Sequence, residues 1–271
     1  MKDVALHTRS RITFFPREHG ATAMLLVPLI ASAIIAGGWQ PVLLAVLLVA
    51  VCAFAMKDPL VVLARRRMEG KREARYWVAV EAVIAAVCGA FLIWRGPVRE
   101  WVLLALGSAA FYGLAVAVNV RNRQRAAWFQ VASAIALTST CIAVPLAIAG
   151  SIPLWAWQVW LLFALQAAAG IFAVHARLDA RIALRRNLLA PQGSRLSAHL
   201  AAFALGSAML AFNNLWIDAA LTLTPICYLL ELRRQRSPRS LETPLTRIGL
   251  QSLALSLVFA GLVTFGIVSR R

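Results

Sequence analysis

Of the eleven acidic residues in this chain, two stand where a lone carboxylate can do chemistry. Asp58 lies in Lys57-Asp58-Pro59-Leu60, and Asp179 in His175-Ala176-Arg177-Leu178-Asp179-Ala180-Arg181. Each is followed by several arginines. Carboxylates hold hard divalent cations or orient guanidinium groups, and arginine grips a phosphate with two parallel hydrogen bonds. The pattern describes one of two things. Either Asp58 and Asp179 share a phosphate pocket, with both as weak metal ligands, or each belongs to a local ion-pair cluster, Asp179 with the arginines from Arg181 to Arg186.

Other polar residues join these two as candidates. His175 and Asp179 are four apart and share a helix face, which suits a proton relay or half of a metal site. Arg17-Glu18-His19-Gly20 leads straight into an apolar run. It either caps a cavity at the membrane face, with Arg17 and His19 as contacts, or is an interfacial start with Glu18 near a helix N-terminus. Glu81 follows Tyr76-Trp77 by one to two turns. A carboxylate at that depth turns into a bundle interior or reaches back to the headgroups. Asn119, Gln130 and Gln166 are polar groups for interhelical hydrogen bonds, and Asn119 and Gln130 also flank a basic gap where they can line a cavity. Asp218, beside Asn213-Asn214, reads as an interfacial group. Cys52, Cys88, Cys141 and Cys227 all sit in apolar runs without metal spacing, so they read as small core residues. No phosphate loop, dinucleotide fingerprint, zinc-protease motif or paired Cys-x-x-Cys occurs.

The elements that must position these side chains are membrane helices. Apolar residues make up 61% of the chain, against ~45–50% in a soluble domain. About nine apolar runs approach the ~20 residues that cross a ~30 Å hydrocarbon core. They predict an all-α, polytopic bundle with helices at 20–38, 41–64, 76–94, 99–118, 127–149, 153–176, 197–212, 215–232 and 246–268. The short turns Gly37-Gly38-Trp39-Gln40-Pro41, Arg95-Gly96-Pro97 and Gly150-Ser151-Ile152-Pro153 carry helix breakers, and tryptophans cluster at their depth.

Charge orients the bundle. Twenty-four of the 28 Lys and Arg residues fall in the N-terminal tail and in every second gap thereafter. Basic loops stay in the cytoplasm, which predicts an inner-membrane protein with its N-terminus inside and its C-terminus outside. Residues 1–271 form one membrane domain, of which 1–19 are a cytoplasmic segment. The alternative, a cleaved signal peptide ending at Ala31-Ser32-Ala33, conflicts with the apolar run continuing through Ile34-Ile35-Ala36. The net charge of +17 is spread over short loops rather than one face. It therefore points to the bilayer and anionic headgroups as partners, not to nucleic acid.

Two resemblances follow from these residues. The entry Pro16-Arg17-Glu18-His19-Gly20-Ala21-Thr22-Ala23-Met24-Leu25-Leu26-Val27-Pro28, the basic gap ending in Tyr76-Trp77, and the helix pattern resemble the YwiC-like family of bacterial membrane proteins. The layout is also similar to UbiA-type intramembrane prenyltransferases, whose nine helices carry Asp-rich motifs after helices two and six. That resemblance implies Asp58 and Asp179 as the two motifs, a polyprenyl diphosphate as ligand, Mg²⁺ as cofactor, and Arg65, Arg67, Lys71 and Arg72 as diphosphate contacts. The motifs are degenerate here, with Lys57 and Val61 where the enzymes have Asn and a second Asp. The lysine ammonium can then stand in for metal charge, so diphosphate binding is expected more than Mg²⁺-assisted ionisation. Three functions compete: a UbiA-like binder of an isoprenoid or lipid phosphate, extending to a divergent transferase, a small-anion permease, and a non-catalytic membrane partner or assembly factor.

Overall fold

The computed structural model describes residues 19–64, 71–121, 123, 126–189 and 191–270. All regular structure among them is helical: α1 (His19–Ile35), α2 (Val42–Ala64), α3 (Lys71–Arg95), α4 (Val98–Val120), α5 (Ala127–Thr138), α6 (Thr140–Ala149), α7 (Leu154–Arg185), α8 (Gln192–Ser207), α9 (Leu215–Arg234), α10 (Pro238–Leu241) and α11 (Leu245–Val268).

Among the described residues, seven segments are long and apolar enough to cross a membrane: Val42–Ala64, Lys71–Arg95, Val98–Val120, Ala127–Ala149, Leu154–Arg185, Leu215–Arg234 and Thr246–Val268. The two other expected runs appear as the shorter α1, 17 residues, and α8, 16 residues. Three boundaries differ from the expectation for one reason. Apolarity ends where the hydrocarbon ends, but helix propensity does not. Ala, Leu and Arg carry α7 on past residue 176 to Arg185, giving 32 residues and a rod of ~48 Å. It stops at Asn187, which takes a left-handed conformation (φ 51). The Leu188 N–H then bonds the Ala183 carbonyl and the Asn187 N–H bonds that of Leu184, a Schellman ending. In the same way α3 begins at Lys71 rather than 76. The expected helix 197–212 lies at Gln192–Ser207, followed by one 3₁₀ turn at Ala208–Ala211.

The span from 127 to 149 is interrupted at Ser139. Three consecutive hydroxyls bond back to their own helix: Thr138 to the Ile135 carbonyl, Ser139 to Ala136 and Thr140 to Leu137. Such back-bonding competes with the helical ladder and bends it. Thr140 also donates to the Leu25 carbonyl at 3.0 Å, and Ser32 to that of Cys141 at 2.7 Å. These bonds fasten α1 to the bend. Interhelical bonds of this kind contribute about 0.6 kcal/mol and at most ~1.7. Ser32→Ala is expected to lower thermal stability in detergent by about that amount, with Thr140→Val adding to it. A melting shift indistinguishable from zero in the double variant refutes the fastening.

Helix packing repeats. In a first unit α2 packs on α3 and α4, α3 on α4, α4 on α5, and α6 on α2. In a second, α7 packs on α8 and α9, α8 on α9, α9 on α11, and α11 on α7. The neighbour relations match one for one, with α5 and α6 counting as a single rod. Both units begin with a helix running toward the basic end, so the repetition is parallel. α1 sits between them against α5, α6, α7 and α11. The main core lies here, around Ala31, Ile35, Cys141, Leu162, Phe163 and Phe259.

Candidate functional site

The alternation of helix direction gathers the charge. Lys57, Lys71, Arg72, Arg121, Arg123, Arg177, Arg181, Arg195, Arg233 and Arg247 all fall at one end of the bundle, whereas Arg95, Arg99 and Arg270 fall at the other. The candidate site is this basic end. Arg17, Arg65 and Arg67 lie outside the described residues, as does the side chain of His19.

On the first unit, Lys57 Nζ stands 4.0 Å from the Asp58 carboxylate, and Lys57 lies over the Phe54 ring. The Asp58 side chain is 51% exposed. Glu81 sits ten residues into α3, deeper than expected because α3 starts early, and is 8% exposed. Its Oε2 and the Tyr112 hydroxyl are buried without a hydrogen-bond partner among the described residues. Cys52 and Asp58 lie on α2, Glu81 on α3 and Tyr112 on α4, three helices that pack on one another. Lys71 and Arg72 open α3 above them. Asn119 is buried and spends its amide on the Ala115 carbonyl, one turn back.

On the second unit, the strongest polar cluster was not among the expected site residues. Arg177 is 2% exposed and donates to Glu231 on α9 and to the Ser240 carbonyl on α10. Gln235 donates to the Ala173 carbonyl, and Arg181 reaches the Glu242 carbonyl at 3.5 Å. The connector from α9 to α11 is thereby strapped to α7. The signal for it was present: Glu231 is a carboxylate inside Tyr228-Leu229-Leu230-Glu231-Leu232, a place where an acid needs a partner.

The two faces of α7 part company. Arg177 and Arg181 serve α9 and the connector. His175, on the face it shares with Asp179, bonds Gln130 of α5 at 2.9 Å. Asp179 is half-buried and makes no ion pair among the described residues. Asp58 and Asp179 therefore share an end of the bundle, but α2 packs chiefly on α3, α4 and α6 rather than on α7. Among the described residues, no three His, Cys, Asp or Glu side chains gather as a metal ion requires. Mg²⁺ demands near-octahedral oxygen ligation, and one half-exposed carboxylate held by a lysine does not fit that need. The cysteines are all free thiols, with Cys52 and Cys141 buried in helices.

Residues 15–144 match the YwiC-like protein family. The resemblance expected from the Pro-Arg-Glu-His-Gly-Ala entry is thus found over this stretch. The YwiC-like region runs from just before α1 into α6, so it contains Lys57, Asp58, Glu81, Tyr112 and Asn119 and leaves out the Arg177–Glu231 strap. No curated protein matched the sequence.

Proposed function

We propose that this protein is a nine-span bundle of the cytoplasmic membrane that binds a lipid phosphate, such as a polyprenyl diphosphate, at its basic end. In this reading α1 and α8 also cross. α1 gains its remaining length from the turn at 36–38, and α8 from the 3₁₀ turn after it; together α8 and that turn reach ~30 Å. Nine crossings put the N-terminus in the cytoplasm and the C-terminus outside. The single observation that carries the ligand reading is the one-sided charge: Lys57, Lys71, Arg72 and Arg181 all lie at the same end of the bundle, where acids are few.

The parallel repetition of two four-helix units supports the UbiA-like layout, since Asp58 and Asp179 both lie in the C-terminal part of the first helix of their unit. Binding without Mg²⁺ is the form of the proposal. Lys57 beside Asp58 supplies cationic charge where a metal motif would need a second carboxylate, so ionisation of an allylic diphosphate is not part of it.

The test is thermal unfolding of the purified protein with a polyprenyl diphosphate, with and without Mg²⁺. A ligand at 100 times its dissociation constant stabilises by about 2.7 kcal/mol. The expected result is a rise in melting temperature that does not need Mg²⁺ and shrinks in Lys71→Ala/Arg72→Ala. No rise with any lipid phosphate rejects the proposal. A rise that requires both Mg²⁺ and Asp58 replaces it with metal-dependent transfer.

A further inference from the structure

α1 packs on α11, and the contact leaves a hollow in the half of both helices away from the basic end. Its cause is residue size. Ala31 of α1 and Ala260 and Gly261 of α11 are short, whereas Ile30 and Ile34 on one side and Leu257 and Phe265 on the other stand exposed beside them. The result is an apolar groove of about 350 Å³ that runs from Leu257 to Val268. A Cβ on Gly261 would meet nothing within 4 Å, so a side chain there has room to grow into the groove. Thr264 is the one lining residue with a polar side chain, and its hydroxyl makes no hydrogen bond to another described residue.

Dimensions and depth name the occupant. Leu257 and Val268 are ~16 Å apart along one helix. One leaflet, half of a ~30 Å hydrocarbon core, is about as deep. Spread over that length, a volume of about 350 Å³ leaves a cross-section of roughly 20 Å². That admits one linear hydrocarbon chain and excludes a helix, which is ~10 Å across. A methyl-branched prenyl chain is wider than a linear acyl chain and fits less well. The far end of the groove lies at headgroup depth. Phe265 packs edge-on against Trp216, with ring centroids 4.8 Å apart. Trp216, in the first turn of α9, and Trp39, in the turn after α1, are both exposed at that end, where tryptophans anchor at the membrane interface. Arg270, just past Val268, is exposed and makes no ion pair among the described residues. A guanidinium there complements the charge of a lipid phosphate.

We propose that the groove between α1 and α11 binds one linear acyl chain of an anionic phospholipid, drawn from the leaflet opposite the basic end. The lipid phosphate sits against Arg270, and an ester carbonyl accepts from the Thr264 hydroxyl. This lipid belongs to the other end of the bundle from the ligand of the phosphate reading, which engages Lys57, Lys71, Arg72 and Arg181. Either proposal can fail without the other.

The experiment places the full chain in phosphatidylcholine bilayers with a trace of phosphatidylglycerol that carries a photoreactive diazirine on its acyl chain. After illumination, peptide mass spectrometry locates the label. It is expected to concentrate on α1 and α11. Labelling there should fall at least about tenfold in Gly261→Leu, whose side chain takes the place of several buried methylenes. Gly107→Leu on α4 is the control, because a Cβ there also meets nothing within 4 Å but does not line the groove. It should leave the labelling of α1 and α11 unchanged. An unfolding midpoint for Gly261→Leu equal to the parent's separates a filled groove from a damaged fold. A competition series on the parent chain needs no variant. Unlabelled straight-chain phosphatidylglycerol should displace the label better than diacylglycerol, which lacks the phosphate, and better than phosphatidylglycerol with methyl-branched chains. The advantage over diacylglycerol should shrink in Arg270→Gln. Label spread evenly over all the helices, labelling unchanged in Gly261→Leu, or displacement as good by the branched chains or by a polyprenyl diphosphate overturns the proposal.

Discussion

Glu231→Ala is expected to destabilise the bundle by about 3–5 kcal/mol, more than Arg177→Ala does. The asymmetry comes from burial. Arg177 is 2% exposed, whereas the Glu231 side chain keeps 25% of its surface in contact with solvent. Removing the acid leaves an unpaired guanidinium that cannot reach water. Removing the base leaves a carboxylate that can. In Glu231→Ala the guanidinium keeps only its bond to the Ser240 carbonyl, and its Nε already lacks a partner. The double variant Arg177→Met/Glu231→Leu should recover much of the loss, because a buried pair owes little of its presence to net stability. Thermal unfolding in detergent measures the order of the three. A second readout follows from the strap. With Ser240 released from α7, trypsin should cut faster at Arg236 and Arg239, both exposed on the α9–α11 connector. Equal stability of the two single variants, or an unchanged cleavage rate in Arg177→Ala, removes the basis for a strap.

Gly266→Leu is expected to be the second most damaging change. A Cβ on Gly266 would lie 2.7 Å from Ile217 Cγ1, 2.8 Å from Asn214 Oδ1 and 3.3 Å from the Ile217 backbone nitrogen. The space is closed by the start of α9. Asn214 caps that helix, its Oδ1 accepting from the Trp216 and Ile217 N–H groups, while its Nδ2 donates to the Gly266 carbonyl at 2.9 Å. A side chain at 266 both overpacks the contact and dislodges the cap. Overpacking costs ~1–3 kcal/mol and a lost cap ~1 more. Gly261, one and a half turns earlier on α11, is the internal control, since a Cβ there meets nothing within 4 Å. Gly261→Leu should be close to neutral. Unfolding midpoints that fall equally for both variants would show that α9 and α11 are not in this contact.

How much of this was legible before the structure depends on which physical quantity was being read. Lipid thickness sets a length, so the long apolar helices stand out, and the basic gaps between them mark one end. Cys52 and Cys141 are buried as expected of small core residues, whereas Cys88 and Cys227 are only half-buried. Helix ends were not legible. Lys71 to Arg75 and Arg177 to Arg185 are helical although polar, because propensity and a Schellman ending at Asn187, rather than hydropathy, decide where backbone bonding stops. The pair His175 and Gln130 was partly legible, as two polar residues flanking basic gaps, but their 2.9 Å contact was not.

From the amino-acid sequence alone came the class of protein, the alternating charge and the likeness to the YwiC-like family, which the family match bears out over residues 15–144. What only the tertiary structure decided is lateral: that Arg177 meets Glu231, that Gln166 bonds Tyr228, that His175 meets Gln130, and that α2 and α7 belong to separate units. The reason is physical. A soluble helix has a polar face toward water, which tells its inside from its outside. A helix in hydrocarbon is apolar toward lipid and neighbour alike, so its sequence carries depth but not azimuth, and azimuth is what brings two side chains together.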